Sequence, residues 1–444
     1  MNNIFLGKNK KGKWIFLTIL AVIFLLNVAA WCSTAFCDWY IANIFPVWVN
    51  TYGRITGIFP FSVGEWLLAA GVVLTALALI LGSLWAAWGI FAGIRRVRSR
   101  ALERKASGAA GLAGVWVYAK TPQVSGFRRF SRGFCRFFLW TILVVCLIMT
   151  LNCFILYHAS AFSDRYFAGD SGEDTSVELI TVYNKVAEEC NRLAEVMERD
   201  ETGMVVYNGR DGIKISLRDS ESWRAGLDCM GEDARRLMQK LGETYPQLAG
   251  WYPQPKAMFF SDFMCQQNMQ GYYFPFSMEA NYNDVMHILN IPATMCHELA
   301  HLKGFIYEDE ANFIGYLACI QSEDTFFQYA GYLSVLNYLY NDVSRLKKEN
   351  PDAYQEAVLA VQPAVVSEQV WQDNIFVSEE DWERINKKAL IDTETVDKAA
   401  DVFIDTNLKV NGVSDGKVSY SRVVRLLLQY YRGQQDESFL CGEQ

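Results

Sequence analysis

The sequence predicts three membrane-spanning helices followed by a mostly helical α+β domain with a small sheet. Three observations predict this fold class: long uncharged apolar runs in the first part of the chain, a strongly acidic remainder, and helical periodicity in that remainder, broken once by short aromatic-rich segments between residues 252 and 283. The chain has 444 residues, of which 51% are hydrophobic, and this is more than one ordinary domain needs.

Apolar runs predict spans at about residues 14–35, 66–94 and 137–157. A helix rises 1.5 Å per residue, so about 20 residues cross a hydrocarbon core of roughly 30 Å. The first run follows four lysines and could be a cleaved signal peptide, but its length favours a retained anchor. Residues 1–158 are therefore predicted to be a membrane region.

The charge distribution predicts the orientation. Residues 1–158 contain sixteen lysines and arginines against three acidic residues, whereas residues 159–444 contain 25 and 46. Most of the basic residues precede the first span or lie in the loop 95–136, and the positive-inside rule makes both segments cytoplasmic. The acidic remainder, with a net charge of about −21, is then extracytoplasmic. The basic loop is interpreted as a topology signal that also meets the lipid bilayer, not as a nucleic-acid patch.

Residues 159–175 are predicted to be a polar linker and residues 176–444 to form one domain. Two strands are expected, Ala257–Phe260 and Gly271–Ser277, and Pro275 assigns the second to a sheet edge because proline cannot donate to the ladder. Six of the eleven cysteines lie in this part, with a spacing that predicts no particular disulfide. Neither a phosphate loop nor a GxGxxG motif is present, so no nucleotide partner is expected. Helices are expected at about residues 177–198, 222–241, 293–303, 308–322, 326–347, 352–361, 379–390, 394–408 and 419–431.

The stretch CHELAHLKGFIYEDEAN contains two of the four histidines of the chain. His297 and His301 are four residues apart, so one face of a helix can present both imidazoles to a single zinc ion. Glu298 flanks that face, where it can accept a proton from metal-activated water. Gly304 is a natural end for this helix.

A catalytic zinc site needs a third protein ligand, and the acidic cluster after Gly304 supplies candidates. Glu308 is the preferred ligand, with Glu310 as the alternative. The two side chains would point about 200° apart on an ideal helix, so they exclude each other. Asn312, four residues after Glu308, is expected to orient a ligand by a hydrogen bond.

HELAH, the glycine that follows it and EDEANF resemble the zincin metallopeptidases of the gluzincin kind, whose third ligand is the Glu of an ExxAD-like helix. Asn312 stands in place of the Asp of that pattern, and Glu308 follows the second histidine sooner than in most gluzincins. The chain is also similar, over most of its length, to an uncharacterised family of bacterial membrane proteins, domain of unknown function 3810. This similarity lies in the three spans, the GYYFPFSMEAN segment (Gly271–Asn281), the HELAHLKGFIYEDEANF core and the LKVNG…SYSRVV segment (Leu408–Val424).

These resemblances imply a zincin-like α+β fold, Zn²⁺ as cofactor and a membrane-anchored peptidase in the bacterial cell membrane. Its expected reaction is hydrolysis of peptide bonds in envelope or extracellular proteins, with Glu298 as the general base. The alternative is a non-hydrolytic sensor or binding protein that uses zinc to stabilise the same fold. The edge strand is expected to pair with substrate backbone, and a donor from the last segment to stabilise the oxyanion. The residues assigned to these two roles are Gly271, Tyr273, Phe274 and Phe276 for substrate, and Tyr420 or Arg422 for the oxyanion.

Overall fold

A computed structural model describes residues 10–106, 125–169, 172, 174–216, 218, 222–389, 391–398, 400–401 and 421–441. The chain divides into two compact units. The smaller unit comprises Met1–Leu25 and Trp66–Ile148, and the larger comprises Leu26–Glu65 and Met149–Gln444. Both units are mostly helical, as the sequence predicts.

Three long helices cover the predicted spans. They are α1 (Lys10–Cys32), α3 (Val63–Ala106) and α4 (Ser125–Met149), and α4 runs on through a π-helical turn at Thr150–Phe154. Stretches long and apolar enough to cross a membrane are Lys10–Cys32, Val63–Trp88 and Arg129–His158. The described ends of the basic loop 95–136 are helical, because α3 extends into it and α4 begins inside it.

The segment between the first two apolar helices belongs to the larger unit. Its helix α2 (Thr34–Asn43) begins at Ser33, whose hydroxyl accepts a hydrogen bond from Phe36 N. Cys37, Tyr40 and Ile41 on this helix are buried in the main core. The domain division therefore differs from the predicted one, which assigned the whole of residues 1–158 to the membrane region. Short helical turns follow at Phe45–Trp48, Val49–Gly53 and Arg54–Thr56.

The rest of the larger unit is a helical bundle around three central helices, α7 (Ile291–His301), α8 (Glu308–Ile320) and α9 (Thr325–Glu349). Every residue of α7 except His297 is buried, because this helix packs between α6, α8, α9 and two strands. The predicted helix 394–408 lies mostly outside the described residues. The helices are α5 (Ser176–Val196), α6 (Trp223–Thr244), α7 (Ile291–His301), α8 (Glu308–Ile320), α9 (Thr325–Glu349), α10 (Pro351–Ala360), α11 (Glu368–Asp373), α12 (Glu379–Lys388) and α13 (Ser421–Cys441).

The predicted linker is packed rather than merely connecting. A short helix at Phe162–Tyr166 places the fully buried ring of Phe162 among other aromatic rings. The Phe162 ring lies 5.6 Å from that of Phe305 and 5.4 Å from that of Phe313, measured between centroids. Tyr166 and Phe167 of the linker also contact aromatic rings of the larger unit, and the polar composition of the remaining linker residues conceals this packing.

Two small sheets are present among the described residues. Strands β1 (Tyr207–Asn208) and β2 (Lys214–Ile215) form an antiparallel pair. The second sheet has the order β3-β5-β4, in which β3 (Lys256–Ala257) is parallel and β4 (Gly271–Phe274) is antiparallel to β5 (Glu279–Tyr282). The predicted edge position of β4 is therefore confirmed.

The strand boundaries differ from those predicted, for identifiable reasons. Strand β3 ends at Ala257 because the N–H groups of Phe259 and Phe260 bind the carboxylate of Glu65 instead of a neighbouring strand. Strand β4 ends before Pro275, where a tight turn begins and Phe274 O accepts the N–H of Met278. Strand β5 was not predicted.

A buried ion pair fixes this sheet to the start of α3. Lys256 Nζ lies 2.6 Å from Glu279 Oε1, and both side chains are almost fully buried. Lys256 also donates to the backbone oxygens of Thr56 and Phe61. The carboxylate of Glu279 accepts the N–H groups that begin α3, with Gly64 N at 2.7 Å. Because every partner is satisfied, the network is a stable connection between the loop and the sheet.

We expect Lys256→Met to lower the free energy of unfolding by about 3–5 kcal/mol, because it leaves a buried carboxylate without its cation. The neutral pair Lys256→Met with Glu279→Gln should regain part of this loss, since glutamine keeps an acceptor for the α3 N–H groups. Thermal unfolding of the detergent-solubilised variants measures both effects. A double variant no more stable than the single one would contradict this account of the ion pair.

Candidate metal centre

The HExxH helix and the acidic helix meet at a tight turn. Helix α7 has a proline in its first turn and ends at His301, and Gly304 then adopts a φ of +89°, a value that favours glycine. Helix α8 begins at Glu308 and packs closely on α7. A Cβ at Gly315 would lie 2.7 Å from Ala293 O, so only glycine permits this approach. Gly315 lies seven residues after Glu308 and therefore on the same face of α8. From this spacing, its contact with α7 could have been predicted.

The two histidines converge as their spacing predicts. His297 Nε2 lies 3.1 Å from His301 Nε2. Two nitrogens bound to one tetrahedral zinc ion at about 2.0–2.1 Å would be roughly 3.3 Å apart. The carboxylate of Glu308 faces both rings, at 3.1 Å from His297 Nε2 and 3.9 Å from His301 Nε2. Its side chain is 54% exposed, so solvent reaches the centre from this side.

The other ring nitrogens face acceptor oxygens. His297 Nδ1 lies 2.8 Å from Asn312 Oδ1, and His301 Nδ1 lies 2.7 Å from Phe305 O. Asn312 Nδ2 donates to the hydroxyl of Tyr338, which fixes the orientation of the amide. Acceptors at both Nδ1 positions favour a proton there, so each Nε2, when it carries no proton, directs a lone pair to the common point. Two lone pairs and a carboxylate are a donor set that fits a zinc ion.

The electrostatics of the centre favour a positive charge between the rings. Burial would lower the pKa of His297, but the hydrogen bond and charge of Glu308 raise it to about 9. Desolvation by the surrounding groups opposes ionisation of the partly exposed Glu308, but its contacts with both histidines lower its pKa to about 2. Burial lowers the pKa of His301 to about 4, so this ring stays neutral and can donate a lone pair.

Glu298 is a buried carboxylate next to the two histidines. Its side chain is buried, and Oε2 has no hydrogen-bond partner among the described residues. Burial raises the pKa of Glu298 to about 8. Glu298 Oε1 lies 4.0 Å from His297 Nε2, whereas Glu308 Oε2 lies 3.1 Å from the same nitrogen. His297, Glu298 and His301 each offer a ligand atom within 4.8 Å of the others, and Glu308 faces both imidazoles as well.

Strand β4 passes directly against Glu298. A Cβ built on Gly271 would lie 2.4 Å from Glu298 Oε1, so glycine allows the strand to run beside the carboxylate. The next residue, Tyr272, is 38% exposed. Burial, together with the charges of Glu298 and Glu308, raises its pKa to about 12. Tyr272 is thus a phenol near both carboxylates that the sequence reasoning missed, although strand alternation with buried Tyr273 could have indicated it.

The other predicted substrate residues of this strand face the interior or its margin. Tyr273 is buried, donates to Asn152 O at 3.0 Å and has its ring 5.8 Å from that of His301. Phe274 is buried as well, and Phe276 stacks near it with ring centroids 5.4 Å apart. These side chains pack inward and support β4, so the backbone of the strand, not these side chains, is exposed at the sheet edge.

Two further predicted residues, Glu310 and Arg422, have contacts with groups other than the histidines. Glu310, the alternative ligand, is buried and accepts the N–H of Phe162 at 2.5 Å. Burial raises its pKa to about 8. Arg422 lies near Asp309 and Tyr307, where its positive charge opposes the rise that burial causes in the pKa of both. Tyr420 lies outside the described residues.

Asn312 should set the metal affinity of the centre through His297. We expect Asn312→Ala to weaken zinc binding about 10–100-fold, because the ring loses the acceptor that orients it. Competition with a fluorescent zinc chelator measures the affinity. Asn312→Asp keeps an acceptor oxygen and is the matched control. An unchanged affinity in Asn312→Ala would remove the orienting role.

Fold and site together define a mostly helical protein with three apolar helices and an HExxH histidine pair beside an edge strand. Residues 40–428 match the model of a family described as "Protein of unknown function (DUF3810)". The chain therefore belongs to this uncharacterised family. The search of curated proteins found no match, and the search of solved structures found none.

Proposed function

We propose that this protein is a membrane-anchored, zinc-dependent peptidase. The observation that carries the proposal is the pairing of two features in one place. First, the Nε2 atoms of His297 and His301 converge with Glu308. Second, the buried carboxylate of Glu298, whose Oε2 has no hydrogen-bond partner among the described residues, lies beside them and against Gly271, the first residue of the edge strand β4. A donor set with an adjacent free base is what metal-assisted hydrolysis requires.

His297, His301 and Glu308 would hold the zinc ion. Zinc at such a site lowers the pKa of water towards about 7 and polarises a carbonyl group. Glu298 accepts the proton of the attacking water and returns it to the leaving amine, and its raised pKa suits both transfers. Tyr272, whose pKa the charges of Glu298 and Glu308 help to raise, is a further candidate donor to the developing oxyanion beside the predicted Tyr420 and Arg422.

The substrate would lie along the edge of β4. Strand β5 occupies one side of β4, so in the described sheet the other side offers backbone groups to an extended peptide. Gly271 places that edge against Glu298, and the carbonyl to be attacked would then be held near the base.

Membrane anchoring is supported by the three apolar helices and by the chain segments that join them. The end of α1, the start of α3 and the last turns of the third apolar stretch all belong to the larger unit. Helices that cross a bilayer in alternating directions have these three ends on the same side of the membrane, as a single unit requires. The positive-inside rule then places the larger unit outside the cytoplasm.

The alternative, a non-hydrolytic protein with a structural zinc, is less well supported. A structural zinc site is closed by a fourth protein ligand. Cys296 is the thiol adjacent to His297 in sequence, but it is buried and makes a side-chain hydrogen bond with Cys319 of α8. Glu298 would also have no role in such a site.

The test uses the full-length protein in detergent with a random-sequence peptide library. Mass spectrometry of the products should show cleavage that a chelator abolishes and added Zn²⁺ restores. His301→Ala should bind no stoichiometric zinc and cleave nothing. A wild-type protein that binds no zinc, or one that cleaves no peptide when loaded with it, would refute the proposal.

A further inference from the structure

The candidate centre is in direct contact with the end of the third apolar stretch. Asn152, near the end of Arg129–His158, donates from Nδ2 to Pro275 O at 2.8 Å and accepts the hydroxyl of Tyr273 at 3.0 Å. These two residues lie in and just beyond β4, and the ring of Tyr273 is 5.8 Å from that of His301. One side chain therefore separates the metal-binding histidine from the apolar stretch.

The other two apolar stretches end in the same unit. Glu279 of β5 accepts the N–H groups of Val63 and Gly64, the first residues of α3. At the end of α1, the ring of Trp31 lies 4.5 Å from the ring of His158, the last residue of the third stretch. The small sheet is thus attached both to the residue where one apolar helix begins and to the last turns of another.

Exposed aromatic and aliphatic side chains surround these attachment points. Ile58 and Phe259 are each 79% exposed, and Phe259 N binds Glu65, the third residue of α3. Phe59, Phe61, Phe260 and Phe263 are also exposed. Aromatic side chains concentrate at the level where a protein leaves the hydrocarbon core. This exposed surface suits contact with the bilayer. Glu65 connects it to the first turn of α3, the helix that enters the bilayer.

The position of β4 along the third apolar stretch follows from this contact. Asn152 lies within the last turns of the stretch, six residues before His158. Its hydrogen bonds with Tyr273 and Pro275 therefore attach β4 to the end of a helix that crosses the bilayer, next to the membrane surface.

We propose that the substrates are polypeptides anchored in the same membrane, cut within the first residues outside the bilayer. This inference rests on the proposed peptidase function. A strand edge at the membrane surface is reached most readily by a chain that emerges from that surface. Sharing one bilayer also gives such a chain a high effective concentration at the edge, whereas a soluble chain must approach the lipid face.

The experiment uses the full-length protein reconstituted with zinc in phosphatidylethanolamine–phosphatidylglycerol vesicles. One substrate is a single transmembrane helix followed directly by a randomised segment. A second carries the same segment after a Gly/Ser linker of about 30 residues, which spans roughly 30 Å on average. A third is the segment as a soluble peptide. Mass spectrometry gives the position and rate of each cleavage, and Glu298→Gln is the control for contaminating peptidases.

We expect cleavage within about ten residues of the transmembrane helix, at least about tenfold faster than in the other two substrates. Equal Glu298-dependent rates in all three would overturn this inference while leaving the peptidase function intact. Absence of Glu298-dependent cleavage from every substrate would overturn the peptidase function and this inference with it.

Discussion

Replacing Glu298 with glutamine will abolish peptide cleavage and leave zinc bound. The carboxylate is the only group of the described centre placed beside the histidines without a hydrogen-bond partner for one of its oxygens. Glutamine preserves the shape of the side chain but cannot accept the proton of the attacking water. General-base catalysis contributes about 10²–10⁴-fold in rate, and a loss of this size is expected. Peptide-library digestion and zinc analysis of the same preparation measure both quantities.

The Glu298→Gln variant should fold as the wild type does. Burial raises the pKa of Glu298 to about 8, so removal of the ionisable group relieves a desolvation cost instead of creating one. An unchanged unfolding temperature is therefore the control for structure. Full cleavage activity in a zinc-loaded Glu298→Gln variant would show that another group is the base.

Replacing Glu308 with alanine will weaken zinc binding by more than about 100-fold, because the centre loses one of three protein ligands. Glu310→Ala, two residues along the same helix, should retain the affinity, since its carboxylate binds Phe162 N. Zinc titration of both variants measures the difference. The pair is closely matched, because both changes remove one carboxylate from the first turn of α8.

Glu310→Ala has its own expected effect, on stability. It leaves the buried N–H of Phe162 without an acceptor, which should cost about 1–3 kcal/mol in the free energy of unfolding. Glu310→Gln should restore most of that loss because its amide oxygen can accept. If Glu310→Ala lost zinc and Glu308→Ala kept it, Glu310 would be the third ligand.

Local patterns were enough to predict the helices of the site and its edge strand. The four-residue spacing of His297 and His301 fixes their common face, and Gly304 takes the positive φ that ends the turn after α7. Pro275 predicted that β4 lies at a sheet edge, as it does. Each of these inferences depends on residues close together in the chain, where backbone geometry dictates the outcome.

Strand β5 was missed because its composition is not typical of a strand. Its four residues, Glu279–Tyr282, alternate polar and apolar side chains, but Glu, Ala and Asn are depleted in strands, and the polar residues are buried like the apolar ones. Glu279 is tolerated there because Lys256 and the start of α3 neutralise and satisfy it. Those partners are distant in sequence, and no local pattern indicates them.

The burial of Phe162 and the packing of α2 into the main core were missed for the same reason. Their neighbours, such as Phe313, come from far along the chain. Arg422, a predicted oxyanion donor, lies near Asp309 and Tyr307, the residues on either side of Glu308, and its role stays a prediction.

The larger unit is assembled from two separated stretches, Leu26–Glu65 and Met149–Gln444. Chains are synthesised from the N-terminus, so the first stretch is made well before its partners in the second. Lys256 and Glu279 can close their network with Thr56 and Gly64 only after the third apolar stretch has been made and the chain beyond it delivered to the same side. In the proposed topology, the order of membrane insertion therefore delays formation of the catalytic unit. A chain whose third helix failed to insert would have no functional centre, and activity would report that insertion was complete.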